Sequence, residues 1–222
     1  MSAVILHRGD DSLFDFFRAL PDALEEHQRA LQLNPRLVEA RYNLGVCYQA
    51  LSRLDEARTQ YVEAIRAQPD YAMAHYNLGT TLTAMGRLND AGVSFRDAIR
   101  LAPNFAPAHD GLGFVLLKTG QIPDAVTEFK TATQIQPDYV PAHYKLGVTL
   151  AGAGLVEEAL EEFRQAVRYA PASAEMHQAL GAGLAGAGKL DAAEIELEEA
   201  VRLRPDYQEA RTSLEAVRRL KK

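Results

Sequence analysis

Six prolines, Pro35, Pro69, Pro103, Pro137, Pro171 and Pro205, follow one another at intervals of 34 residues. A fixed period of that length means that one small supersecondary unit is repeated, and it suits a helix-turn-helix hairpin stacked on its own copies. Blocks 38–71, 72–105, 106–139, 140–173 and 174–207 bring further columns into register. Leu44-Gly45, Leu78-Gly79, Leu112-Gly113, Leu146-Gly147 and Leu180-Gly181 form one column, with Tyr48, Leu82, Leu116, Leu150 and Leu184 four residues after each leucine. These positions share one face of a first helix. Later in each block Ala57, Ala91, Ala125, Ala159 and Ala193 precede Tyr61, Phe95, Phe129, Phe163 and Leu197 by four residues. Ala64, Ala98, Ala132, Ala166 and Ala200 follow three residues further on, completing one stripe of a second helix.

Small residues at fixed places let two antiparallel helices approach, while the leucine and aromatic columns fill the space between them. Between the helices Ser52, Gly86, Gly120, Gly154 and Gly188 suit a left-handed helix exit, and Asp55, Asn89, Pro123, Glu157 and Asp191 suit the next helix start. The periodic prolines then close each second helix, because a residue before proline is steered out of helical geometry. The expected class is all-α, with twelve or thirteen helices and no strands.

The blocks resemble the tetratricopeptide repeat family over about residues 20–220, with five full copies. That resemblance implies a right-handed superhelical solenoid of antiparallel hairpins. The family's usual large aromatic early in the first helix is replaced here by Arg41, His75, His109, His143, His177 and Arg211. Residues 1–37 read as a degenerate N-terminal repeat. In it, residues 21–35 form a second helix, and Asp10, Asp11 and Ser12 cap a short helix carrying Phe14, Phe16 and Phe17. Residues 208–222 read as a capping helix, with Leu214, Val217 and Leu220 facing the fifth repeat.

Charge and composition narrow the function. The 24 Lys plus Arg against 30 Asp plus Glu give a net charge of −6, which disfavours a nucleic-acid surface. The short apolar run 3–6 is too brief for a signal-peptide core or a membrane span. The single cysteine, Cys47, excludes an internal disulfide framework, so the cytoplasm is the expected compartment.

Four motifs have structural readings. Gly181, Gly183 and Gly186 spell G-x-G-x-x-G inside a repeat helix, without the strand that a dinucleotide site requires. The histidine ladder reads as a packing position, since equivalent residues of stacked repeats lie on the order of 10 Å apart, too far to share one zinc. Cys47 reads as a buried, inert thiol. The glutamate-rich runs around 157–162 and 194–199 read as solvated helix faces. With no nucleophile and base at fixed spacing, the chain is expected not to be an enzyme and to carry no cofactor or metal.

The family resemblance implies that the first helices line a concave groove for a peptide or a partner's helix. The corresponding positions here are Tyr42, Asn43, Val46, Tyr76, Asn77, Thr80, Asp110, Phe114, Lys118, Tyr144, Lys145 and Val148. Asn43 and Asn77 resemble the asparagine column with which the repeat region of O-linked N-acetylglucosamine transferases holds a peptide backbone. Repeats four and five are lined with Ala and Gly, which predicts a deeper groove there. The carboxylate grip of chaperone-binding relatives is not expected, because Tyr42, Val46, Asn77, Pro107 and Gly111 hold its places and only Asn77 matches. The expected function is a protein-binding scaffold or adaptor. Two alternatives stand beside it: the recognition arm of a larger transferase-type enzyme, or a structural protein that forms homo-oligomers through Phe14, Phe16 and Phe17.

Overall fold

A computed structural model describes residues 10–222, with side chains from residue 20 onward. The described residues form twelve α-helices and no strand. They divide into two compact units, at 103/104. The first unit holds α1 (Asp10–Leu33), α2 (Val38–Ala50), α3 (Leu54–Ala67), α4 (Ala72–Ala84) and α5 (Leu88–Leu101). The second holds α6 (Ala106–Lys118), α7 (Ile122–Ile135), α8 (Val140–Gly152), α9 (Val156–Tyr169), α10 (Ala174–Gly186), α11 (Leu190–Leu203) and α12 (Gln208–Leu220). In each unit consecutive helices pack as hairpins, and first helices of successive hairpins also touch.

The hairpin is built on a ring lying against a glycine. A Cβ placed on Gly45 would sit 2.6 Å from the Tyr61 ring, and one on Gly147 would sit 2.6 Å from the Phe163 ring. The same approach brings Gly79 to Phe95, Gly113 to Phe129 and Gly181 to Leu197. Only a residue without a side chain lets the second helix come this close. The alanines flanking each ring complete the seal, and Ala57, Ala64, Ala125 and Ala132 have no exposed surface.

Each hairpin turns through a left-handed residue. Gly86, Gly120, Gly154 and Gly188 have φ between 73° and 80°, and Ser52 reaches 57°. This lets the next amide reach back to a free carbonyl of the first helix, as in Arg87 N–H to Leu82 O at 2.8 Å and Leu155 N–H to Leu150 O at 3.0 Å. Of the following residues, Asp55, Glu157 and Asp191 lie in the first helical turn, where their carboxylates meet the positive helix end without capping it; Arg53, Leu155 and Lys189 occupy the cap positions and make no side-chain cap bond.

The N-terminal segment differs from the expected pair of helices, because α1 is continuous through Pro21. In register, Arg18 occupies the place of Ser52 and Gly86, so the residue type that favours a left-handed exit is missing. Pro21 stands where Pro123 starts α7, but with no turn before it the helix continues.

The histidine column proves to be a polar clip as well as a packing position. His75, His143 and His177 place Nε2 at 3.0, 2.8 and 3.1 Å from the carbonyls of Pro69, Pro137 and Pro171 in the preceding loop. Nδ1 of His109, His143 and His177 lies 2.7, 2.6 and 2.7 Å from Glu128, Glu162 and Glu196, each nineteen residues later on the second helix. Arg41 reaches the Pro35 carbonyl in the same way, at 2.7 Å. A carbonyl and a carboxylate can only accept, so the two His143 contacts favour the protonated ring, in which both nitrogens donate. Burial opposes that charge, but the Glu162 bond, the Pro137 carbonyl and the Glu162 charge outweigh it and raise the His143 pKa. Tyr169 stacks on the ring at 5.8 Å.

Two outcomes are expected. Gly147→Ala should cost about 1–3 kcal/mol in urea unfolding by overpacking Phe163, whereas Gly152→Ala, with nothing within 4 Å of its new Cβ, should be neutral or gain up to about 1 kcal/mol. Because the folded His143 pKa is raised, the clip's proton-linked stability is fully present below the ordinary histidine value and is lost as pH rises through the folded one. The stability difference between the wild type and Glu162→Gln should therefore shrink from pH 5.5 to pH 8 in parallel melts.

Candidate functional site

In the first unit the groove positions lie on α2 and α4, which pack against Tyr61 and Phe95. Tyr42 packs its ring 6.0 Å from Tyr61 and 5.0 Å from Tyr71, and its hydroxyl accepts a 3.0 Å bond from Asn77 Nδ2. Part of the Asn77 amide is thus already committed to holding Tyr42. Asn43 and Val46 sit half-buried beside Tyr42 on α2. Gln49 Nε2 donates to Thr80 at 3.1 Å, while its carbonyl accepts from Tyr61 at 2.9 Å and Thr81 at 3.3 Å. The Tyr76 ring lies 5.9 Å from Phe95. This face is therefore ordered by its own hydrogen bonds, and its half-exposed tyrosines offer rigid contact area.

In the second unit, α6 and α8 bring Asp110, Phe114, Lys118 and Lys145 together. Asp110 is buried, and Lys145 Nζ meets its Oδ2 at 2.6 Å. Burial pushes the Asp110 carboxyl up, while the Lys145 charge, its hydrogen bond and a bond from Tyr139 pull it back. Lys118 and Lys145 stand over the Phe114 ring at 5.5 and 5.7 Å. Tyr144 and Val148 lie further along α8, 38% and 45% exposed.

Next to them opens a cleft of about 420 Å³, walled by Tyr144 and Val148 of α8, Val156, Leu160 and Phe163 of α9, and Ala179, Ala182, Gly183 and Gly186 of α10. Glu209 of α12 stands at its edge. The cleft exists because α10 carries small residues at positions where α6 carries larger ones: Ala182 stands in register with Phe114 and Gly186 with Lys118, while Gly183 lets Leu160 and Phe163 pack close behind the opening. Sequence columns predicted depth here. Val156, Leu160 and Glu209 were not among the predicted residues, because they come from other helices and no spacing along α8 or α10 marks them.

Glu162 and Glu196, read from the sequence as part of solvated acidic faces, instead turn inward to His143 and His177 and are only 21% and 25% exposed; a histidine followed by glutamate nineteen residues later in three blocks is the signal that marks them. Among the described residues no group of three or more His, Cys, Asp and Glu side chains is placed to hold a metal ion. Cys47 is buried, and that burial raises its thiol pKa. The side chains of Phe14, Phe16 and Phe17 lie outside the described residues.

Removing Lys145 should leave Asp110 buried without its cation. Lys145→Met is expected to cost about 1–3 kcal/mol, below the value for a fully buried pair because the lysine is 30% exposed. Asp110→Ala combined with Lys145→Met should recover most of the loss in a double-mutant cycle read by urea unfolding.

Profiles described as TPR repeat match residues 48–86 and 115–154, and profiles described as tetratricopeptide repeat match 28–59, 72–105 and 144–207. No curated protein sequence matches the chain significantly. Among solved structures, PilW, described as a widely conserved type IV pilus biogenesis factor, is similar with a TM-score of 0.80 and 22% identity over 91% of this chain and 94% of its own. YrrB, described as a TPR protein with an unusual peptide-binding site, has a TM-score of 0.66 and 23% identity, covering 86% of this chain and 98% of its own. MamA from Desulfovibrio magneticus RS-1 has a TM-score of 0.68 and 23% identity, covering 77% and 97%. The repeated hairpins, the glycine-to-ring contacts and the matched profiles together place the chain in the tetratricopeptide repeat family.

Proposed function

We propose that this protein is a binding scaffold or adaptor that holds a peptide or helix of a partner protein on the face built from its first helices. The observation that carries this reading is the pre-ordered surface of the first unit, where the Asn77 amide fixes the Tyr42 hydroxyl at 3.0 Å and Gln49 ties Thr80 in place. Side chains already held in one arrangement lose little freedom when a partner arrives, so more of the contact energy appears as affinity. Tyr42, Asn43, Val46, Tyr76, Asn77 and Thr80 form the contact set in that unit. Asp110, Phe114, Lys118, Tyr144, Lys145 and Val148 form the set in the other. The peptide-binding site named for YrrB and the type IV pilus biogenesis role named for PilW are consistent with a fold used for holding other chains. The buried single thiol suits a reducing compartment, and we place the protein in the cytoplasm.

The test compares wild type with a Tyr42→Ala, Asn43→Ala, Asn77→Ala triple variant in pull-downs from the native lysate, after circular dichroism shows equal helicity. Partners retained by wild type and lost by the variant are the expected result. Identical partner profiles for the two proteins would reject the first-helix face of that unit as the binding surface.

A further inference from the structure

The groove face of the second unit is electrically uneven along its length. At one end Lys118 is exposed over Phe114 and, among the described residues, has no carboxylate in ion-pair range, whereas the neighbouring Lys145 is neutralised by Asp110. In the middle lies the apolar cleft, with the exposed Tyr144, Val148 and Val156 at its mouth. At the other end Glu209 is the single charged residue lining that cleft, and its side-chain partner is the neutral amide of Gln178, at a long 3.4 Å. One uncompensated cation, one apolar hole and one uncompensated anion therefore follow one another from α6 to α12.

We propose that this face binds a partner segment that carries an acidic residue, a bulky aliphatic or aromatic residue and a basic residue in linear order. The acid meets Lys118, the apolar side chain fills the cleft beside Ala182, and the base meets Glu209. The inference rests on the binding-scaffold reading and adds the partner's chemistry to it. Neighbouring helices pack about 8–10 Å apart and an extended chain rises about 3.3 Å per residue, so the three recognised residues are spaced roughly three to five residues apart. The apolar residue supplies most of the affinity, because it leaves water for the exposed Tyr144, Val148 and Val156 beside Ala182. The two charges lie at the rim, where they set partner choice and orientation more than strength.

A random dodecapeptide library displayed on phage, panned against the full chain, tests this. Wild type should enrich sequences with the acid, apolar, base order in one chain direction. Ala182→Phe, which copies the residue found in register at Phe114, should fill the cleft and weaken the enriched peptides about tenfold or more. The Lys118→Glu, Glu209→Lys double variant alters only exposed side chains, and it should invert the charge order of the enriched sequences, an effect that loss of folding does not produce. Enriched peptides that are indifferent to these variants yet lost on Tyr42→Ala, Asn43→Ala, Asn77→Ala would overturn this inference and leave the scaffold reading standing. Enrichment of no peptide at all would overturn both.

Discussion

The contact between a glycine of each first helix and the ring or leucine of the second sets the geometry on which every other feature depends. With the glycine's missing side chain replaced by the face of Tyr61, Phe95, Phe129 or Phe163, the two helix axes come close enough for the flanking alanines to seal the hairpin. A hairpin of this kind cannot bury both of its faces alone, so each copy needs a neighbour. The first helix then has one side committed to its own second helix and edges committed to adjacent first helices. What remains is a strip of more exposed side chains, which includes Lys118, Tyr144 and Val148.

The histidine clip solves a second problem created by the same architecture. Each second helix ends in a loop whose proline carbonyl has no helical partner. His75, His143 and His177 reach those carbonyls from the next first helix, and Arg41 does so for Pro35. In three repeats a glutamate on the following second helix holds the other side of the imidazole. Loop, first helix and second helix are thereby joined through one side chain. Where the family's usual aromatic would supply packing alone, the clip adds a hydrogen-bonded link, and at His143 that link favours the protonated ring.

Against this regular frame the departures are informative. Repeat five gives up side-chain volume at Ala182 and Gly186, and the result is a cleft and not a collapsed wall, because Phe163 is held in place by its contact with Gly147. Repeat three places Phe114 and Lys118 at the positions where repeat five has alanine and glycine, so bulk and charge replace depth. Neither change disturbs the column that builds the hairpin. Core positions and more exposed positions alternate along the same first helix, so the exposed chemistry differs from repeat to repeat while the frame stays constant.

The all-α class and the hairpin register were legible in the sequence because identical local physics recurs every 34 residues, and five aligned copies separate a core column from chance. The left-handed turns at Gly86 and Gly154, the buried aromatics and the shallow or deep character of the groove wall all follow from residues close in the chain. The interactions that required the folded molecule join residues far apart along it: Asn77 to Tyr42, Lys145 to Asp110, Glu162 to His143, and Glu209 to the cleft of α8 and α10. Helical periodicity tells which face a side chain takes, but the partner it meets there is set by how closely neighbouring helices pack. The continuous α1 shows the converse, since a register that marked two helices was overruled where Arg18 replaced the residue needed to turn the chain. Repetition determined the frame, and only packing between the repeats decided which side chains pair, which stay free and where a cleft is left open.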